Sequence, residues 1–351
     1  MRIDQKAAVH SSLAEAAEPG VAELCEALGE VVHPSPSAGP VQIERLEPQV
    51  YRLSVGTNGT RQAFVLRRLD PLLARRTELV ARRWLPALGL GDRCAGLLTT
   101  AADRWGEWVW HVYEDLGNGA VDPGRPDAFN VAAVMELLAA LHTRAARHPL
   151  VPECRRYCGS LGAGYFVTSV RDAIAVLEEL APPRIDPTVE ERSLRDGLLS
   201  RLYRLREELP RRVRLLESLG GPDTLLHGDP WPANTSVVAN GHGPVARMIG
   251  WDHAAVGPVS YDISTFLYRF PKSERPWILE AYRCALTRAD WYLPPARDLN
   301  AMFETAEYAR LANRVIWPAV ALLEEQAPWG WRKLAEVENW FDTLEPALPE
   351  P

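Results

Sequence analysis

Nowhere in this chain of 351 residues do apolar residues run toward eighteen in a row, so no segment reads as a membrane-spanning helix. The first residues, Met1, Arg2, Ile3, Asp4, Gln5 and Lys6, lack the apolar core of an export signal, and a cytoplasmic protein is the expectation. Cysteine is scarce: Cys25, Cys94, Cys154, Cys158 and Cys284 are odd in number and scattered, which argues against a disulfide framework. Cys154 and Cys158 stand four apart, where a helix could align them, but no second pair of Cys or His follows at a zinc-site spacing. Positive charge is in deficit, 39 Lys and Arg against 46 Asp and Glu. The net charge of −7 disfavours nucleic acid or an anionic membrane as the main partner and is compatible with a cationic one. Internal repeats are also missing. What is present is a hydrophobic content of 47%, in a chain long enough for two domains or one bilobal unit with a deep cleft.

Along the chain, a helical segment around Ser12 to Val31 runs into His33-Pro34-Ser35-Pro36-Ser37-Ala38-Gly39-Pro40, whose prolines and small residues read as a linker. Short strand-like runs follow, Gln42 to Leu46, Val50 to Val55 and Gln62 to Leu69, the last two around the turn Gly56-Thr57-Asn58-Gly59-Thr60, a hairpin signal. A helix is expected from Pro71, then a strand pair, Leu97 to Thr100 and Glu107 to Tyr113. From Gly117 the pattern turns helical: Phe129 to His148 places Val134, Leu137, Leu138 and Leu141 at helical spacing, and 167–180 and 190–219 look alike. Two strand-like runs, Thr224 to Leu226 and Val245 to Ile249, each enter a polar loop, one near Asp229 and one near Asp252. This gives an α+β, bilobal outline: an N-terminal helix and linker at 1–40, a small β-rich lobe at 41–116, and a larger, mostly helical lobe at 117–351.

His227-Gly228-Asp229-Pro230-Trp231-Pro232-Ala233-Asn234 sets an aspartate and an asparagine five positions apart between prolines. In a kinase catalytic loop a carboxylate accepts the proton of the attacking hydroxyl, while an amide oxygen a few residues on holds magnesium. Taken alone, an Asx-rich loop with prolines is also a plain turn.

With Ile249-Gly250-Trp251-Asp252-His253 and Tyr261-Asp262-Ile263 downstream, the loop resembles the signature of the aminoglycoside phosphotransferase and choline kinase family, whose fold is protein-kinase-like. Tyr51-Arg52-Leu53, Phe64-Val65-Leu66-Arg67, Glu78 and Leu279-Glu280-Ala281-Tyr282-Arg283 extend the resemblance in order over residues 42–283. The resemblance implies ATP or GTP with Mg²⁺ as cofactors and transfer of the γ-phosphate to a hydroxyl of a small molecule such as an aminoglycoside, another antibiotic, a sugar or an amino alcohol. It implies Asp229 as catalytic base, Asn234 and Asp252 as metal ligands, and Arg67 at the nucleotide phosphates with Glu78 as its ion-pair partner. Glu114, Asp115 and Leu116 fall at the nucleotide-holding hinge, and Asp262 is implied as a buried brace of the catalytic loop. Arg67 and Glu78 also read as plain surface charges.

One position departs from the family pattern. Where the family carries its main magnesium aspartate, this chain has Gly250, and Asp252 is the nearest carboxylate. Either Asp252 takes over the metal, or Asn234 and the phosphates hold it alone, or the chain is an impaired, kinase-like binding protein. A kinase acting on Ser or Thr of a biosynthetic peptide, with a partner protein, is a further alternative. Glu304, Glu307, Glu324, Glu325, Glu336, Glu338 and Asp342, with Trp317, Trp329, Trp331 and Trp340, would make an acidic, aromatic wall for a cationic acceptor, or else a solvated face over a packed core. Antibiotic resistance and biosynthesis both remain open as roles, and a monomer or homodimer as the assembly.

Overall fold

The computed structural model describes residues 1, 3–32, 38–57, 60–241 and 243–349. Two compact units emerge, unit 1 from Met1–Val121 and Ala233–Asp252, unit 2 from Asp122–Pro232 and His253–Pro351. These limits differ from a division at residues 40 and 116, because the N-terminal helices and the segment 233–252, whose hairpin is a sheet of its own, both group with the five-stranded sheet in unit 1.

In unit 1, helices α1 (Ile3–Glu15) and α2 (Val21–Val31) are separated where Ala17 and Gly20 take positive φ, flanking Pro19. The single helix expected around Ser12 to Val31 is therefore two, for a residue with φ near 60° cannot continue a right-handed helix. The linker expected at 33–40 lies mostly outside the described residues, and its last part is already strand. Strands β1 (Ala38–Glu47), β2 (Val50–Thr57) and β3 (Thr60–Leu69) form antiparallel ladders, with Thr57 paired to Thr60. The turn residues Asn58 and Gly59 lie outside the described residues. Helix α3 (Pro71–Leu79) starts at Asp70, whose side chain accepts from the N–H groups of Leu72 and Leu73 while Pro71 fills the first turn. It continues through a π-turn at Val80–Trp84 into α4 (Leu85–Ala87). Strands β4 (Leu97–Ala102) and β5 (Val109–Glu114) complete a five-stranded sheet of order β1-β2-β3-β5-β4.

Strand alternation sorts that sheet into two faces. Tyr51, Leu53, Val55, Phe64, Leu66, Trp110 and Val112 pack with Val9, Leu13, Leu24 and Leu28 of α1 and α2 into one buried core. The other face carries Arg52, Val65, Arg67, His111 and Tyr113, which are cross-strand partners in the ladders Arg52↔Val65, Val65↔Tyr113 and Arg67↔His111.

Unit 2 begins with α5 (Ala128–Ala145), α6 (Val151–Cys158), α7 (Ala163–Glu178) and α8 (Val189–Leu219), the last opened by a capping box of Thr188 and Glu191. Cys154 and Cys158 share α6, and none of the five cysteines, all among the described residues, is in a disulfide. After β6 (Thr224–Leu226) the chain returns to unit 1 for the hairpin β7 (Thr235–Asn240) and β8 (Gly243–Met248). It then re-enters unit 2 through β9 (Ala255–Gly257), which pairs with β6, and ends in α9 (Ser260–Leu267), α10 (Arg275–Thr287), α11 (Ala296–Glu325) and α12 (Trp329–Thr343). A core of Phe166, Val170, Leu198, Leu202, Leu226, Tyr261, Ala309, Val315 and Leu334 ties α7, α8, α9, α11 and α12 together. Among the described residues, no helix is long and apolar enough to cross a membrane.

Candidate active site

The loop after β6 is pinned from within unit 2. Asp262, in the first turn of α9 and wholly buried, accepts from the N–H of His227 through Oδ2 and from the N–H of Gly228 through Oδ1, both at 2.8 Å. His142 of α5 brings Nε2 to 3.1 Å from Oδ2 of Asp262, and its Nδ1 lies 2.7 Å from the Tyr282 hydroxyl. Burial pushes the Asp262 carboxyl up, but the hydrogen bond and charge of His142 and the Gly228 N–H outweigh it and hold the group below its ordinary range. Arg310 of α11 donates to the carbonyls of Tyr261 at 2.6 Å and Gly228 at 3.4 Å. Gly228 itself is obligatory, since at φ 83° an added Cβ would stand 1.7 Å from the His253 carbonyl oxygen. The buried brace expected at Asp262 is thus in place. His142 and Arg310 were missed, although a histidine on the Leu138–Leu141 face of a helix is a readable hint.

Asp229 follows this pinned pair. Its N–H donates to His227 Nδ1 at 3.3 Å, and its carbonyl accepts from Trp231 N–H at 2.8 Å. Arg269 stacks its guanidinium 3.4 Å over the Trp231 ring and feels the charge of Asp229. Between Pro232 and Ala233 the chain passes to unit 1, so Asp229 and Asn234 belong to different units.

In unit 1, Arg67 of β3 grips Asp252 with both arms: Nη1 donates to Oδ1 at 2.6 Å and Nη2 to Oδ2. Burial lowers the Arg67 pKa, and the hydrogen bonds and charge of Asp252 raise it by more. Arg76 of α3 donates to the Asp252 main-chain carbonyl at 2.6 Å. The expected pairing of Arg67 with Glu78 is not the one made: Glu78 meets Arg75 at 3.5 Å and Arg82 at 3.2 Å along its own helix. Beside Arg67 sits His111, buried, its Nδ1 2.9 Å from the Tyr113 hydroxyl; burial and then the charge of Arg67 push it down to about 4.

The hinge candidates occupy the end of β5 and the irregular segment after it. Glu114 accepts from Gly96 N–H at 2.9 Å and from Arg247 of β8. Asp115 accepts from Arg52 Nε at 2.7 Å and from Gly117 N–H at 2.9 Å, and the Leu116 carbonyl accepts from Ser236 at 3.5 Å. A polar hollow of about 620 Å³ opens here, lined by Gln42, Glu44, Arg52, Ser54, Asp115 and Asn118.

The donors available to magnesium do not fit it. Magnesium asks for hard oxygen ligands in near-octahedral array, with at least one carboxylate in sites of this kind. Gly250, at φ 72°, offers none, and the space a Cβ would take there adjoins Asn234 Oδ1 at 3.0 Å. Asp252, the expected replacement, has both oxygens on Arg67. Among the described residues, no group of three or more His, Cys, Asp and Glu side chains could hold a metal.

The acidic, aromatic wall is also largely self-neutralised. Glu304, Glu307, Glu336 and Asp342 pair with Arg212, Arg310, Lys333 and Arg201, and Trp340 lies under Arg314.

A sequence model described as the phosphotransferase enzyme family matches residues 42–299. No curated protein matches the chain. Among solved structures, ethanolamine kinase of Plasmodium vivax aligns at TM-score 0.57 with 13% identity, covering 87% of this chain and 82% of its own. The GDP and kanamycin complex of APH(2″)-IIia aligns at 0.54 with 15% identity, covering 88% and 95%. Macrolide 2′-phosphotransferase of Brachybacterium faecium aligns at 0.52 with 16% identity, covering 86% and 92%. At these identities the likeness is one of fold, the protein-kinase-like fold of mixed α and β structure.

Proposed function

The chain belongs to the phosphotransferase enzyme family, and from that premise we propose that it transfers the γ-phosphate of a nucleoside triphosphate to a hydroxyl group of a small molecule. The observation that carries the reading is the pinning of the His227-Gly228-Asp229 loop: two main-chain N–H groups on one buried carboxylate leave the following aspartate preorganised. In this reading unit 1 binds the nucleotide, with the main chain at Glu114 to Leu116 against the base and Arg67 toward the phosphates. Asp229 orients the acceptor hydroxyl and takes its proton as the oxygen attacks the γ-phosphorus. The bond to the β-bridging oxygen breaks, the nucleoside diphosphate leaves with that electron pair, and the proton passes from Asp229 to solvent. The names of the fold relatives, for ethanolamine, kanamycin and macrolides, support a small hydroxylated acceptor as a class.

The test is acceptor-stimulated ADP release against a panel of aminoglycosides, macrolides and amino alcohols. Asp229→Asn is expected to lower turnover roughly 10²- to 10⁴-fold with ADP affinity unchanged. Turnover equal to the parent protein would overturn the role of Asp229. A second reading, nucleotide binding without turnover, draws on Gly250 and on the engagement of Asp252 by Arg67; ADP binding with no turnover of any acceptor would favour it.

A further inference from the structure

The donor set of unit 1 is wrong for the metal that the family resemblance implies, and the disagreement has a positive side. We propose that unit 1 carries a metal-independent anion site, in which Arg67 is the phosphate contact and Asp252 a built-in competitor that holds the guanidinium until phosphate displaces it. The proposal rests on the reading that unit 1 binds a nucleotide.

Three observations point this way. The two parallel bonds from Arg67 to Asp252 are the fork geometry that a guanidinium offers equally to a carboxylate or a phosphate, so Asp252 stands as a phosphate surrogate. The pair is neither buried nor loose, the side chains being 25% and 20% exposed, so water can reach it and one anion can be exchanged for another. Arg76 holds the main-chain carbonyl of Asp252, which fixes the backbone while the carboxylate swings, and its Nε, buried and without a partner among the described residues, is a second donor beside the first.

Charge favours the same assignment. Arg67 and Arg76 against Asp252 leave these three side chains with one net positive charge, and Glu47 is a further, weaker influence on Arg67. An incoming phosphate is attracted to that net charge. A divalent cation is repelled by both guanidiniums and must also pull Asp252 from two charge-assisted hydrogen bonds. Gly250 completes the picture, because a position whose Cβ would stand 3.0 Å from Asn234 Oδ1 has no side chain.

The test is calorimetric titration of the full chain with ADP, in excess magnesium and in EDTA, for the parent protein, Asp252→Asn and Gly250→Asp. The parent protein is expected to bind ADP with affinities within about threefold in the two buffers. Asp252→Asn, which removes the competitor, should tighten binding in both by about tenfold, the scale of one charge-assisted hydrogen bond. Gly250→Asp should create a magnesium dependence of tenfold or more, aspartate being among the residues that tolerate a left-handed backbone. Magnesium-dependent binding in the parent protein that Asp252→Asn abolishes would make Asp252 a metal ligand and overturn the proposal, while leaving nucleotide binding by unit 1 intact. A folded protein that binds no ADP in either buffer would overturn both. The parent titration alone decides the central point, whatever the variants do.

Discussion

Asp262 and Asp252 stand ten residues apart, one in each unit, and answer opposite demands. In unit 2, Asp262 is fully buried and its oxygens are taken by main-chain N–H groups and a histidine. In unit 1, Asp252 is partly exposed and faces a guanidinium. A carboxylate bonded to backbone cannot let go without stranding buried donors, so it acts as structure. An ion pair between two side chains, 25% and 20% exposed, strands no main-chain donor when another anion takes the place of the carboxylate. The comparison separates what holds the loop from what, in the proposed reading, would meet the ligand.

The strongest way to break it is Asp262→Ala, which leaves the N–H groups of His227 and Gly228 and the ring of His142 without their acceptor. A loss of about 3–5 kcal/mol of unfolding free energy is expected, read by urea denaturation. Because the folded carboxyl is held below its usual range, its contribution is fully present above the ordinary aspartate pKa and is lost as pH falls through the depressed folded value. A smaller effect belongs to unit 1. His111 is neutral when folded, at about 4 against an ordinary 6.5, so protonation favours the unfolded chain. Stability should decline as pH falls from 6.5 toward 4, by about 3 kcal/mol, and His111→Phe should flatten that slope in a series of thermal melts. Least of all should come from Glu78→Gln. Its partners lie along its own helix surface, so a change within about 0.5 kcal/mol and an unaltered ADP affinity are expected. A large fall in affinity would restore Glu78 as the functional partner of Arg67 and dissolve the contrast.

Much of the fold was legible because its signals are local. The strands on either side of Asn58-Gly59, the helix start at Pro71 and the loop motif at 227–234 all announce themselves within a few residues. The break between α1 and α2 was also visible, in Pro19-Gly20, and was read through. The hairpin of β7 and β8 was half seen, since Val245 to Ile249 reads as strand whereas Thr235 to Asn240, flanked by polar residues, does not. What lay beyond reading was pairing at a distance. Arg67 and Asp252 are separated by 185 positions, and no periodicity reports a bond of that span. Glu78 was assigned by position in a family pattern, and only the helix register shows that Arg75 and Arg82 stand nearer.

The three passages of the chain between its units have a temporal meaning. Unit 1 cannot be finished when Val121 is made, because Arg247, which meets Glu114, and Asp252, which meets Arg67, are still to be translated. At ordinary elongation rates they follow roughly 7–25 s later, after most of the helices α5 to α8 have emerged. A nascent chain therefore spends that interval with Arg67 lacking Asp252, and the face of the sheet that carries Arg67 is the last part of unit 1 to be completed.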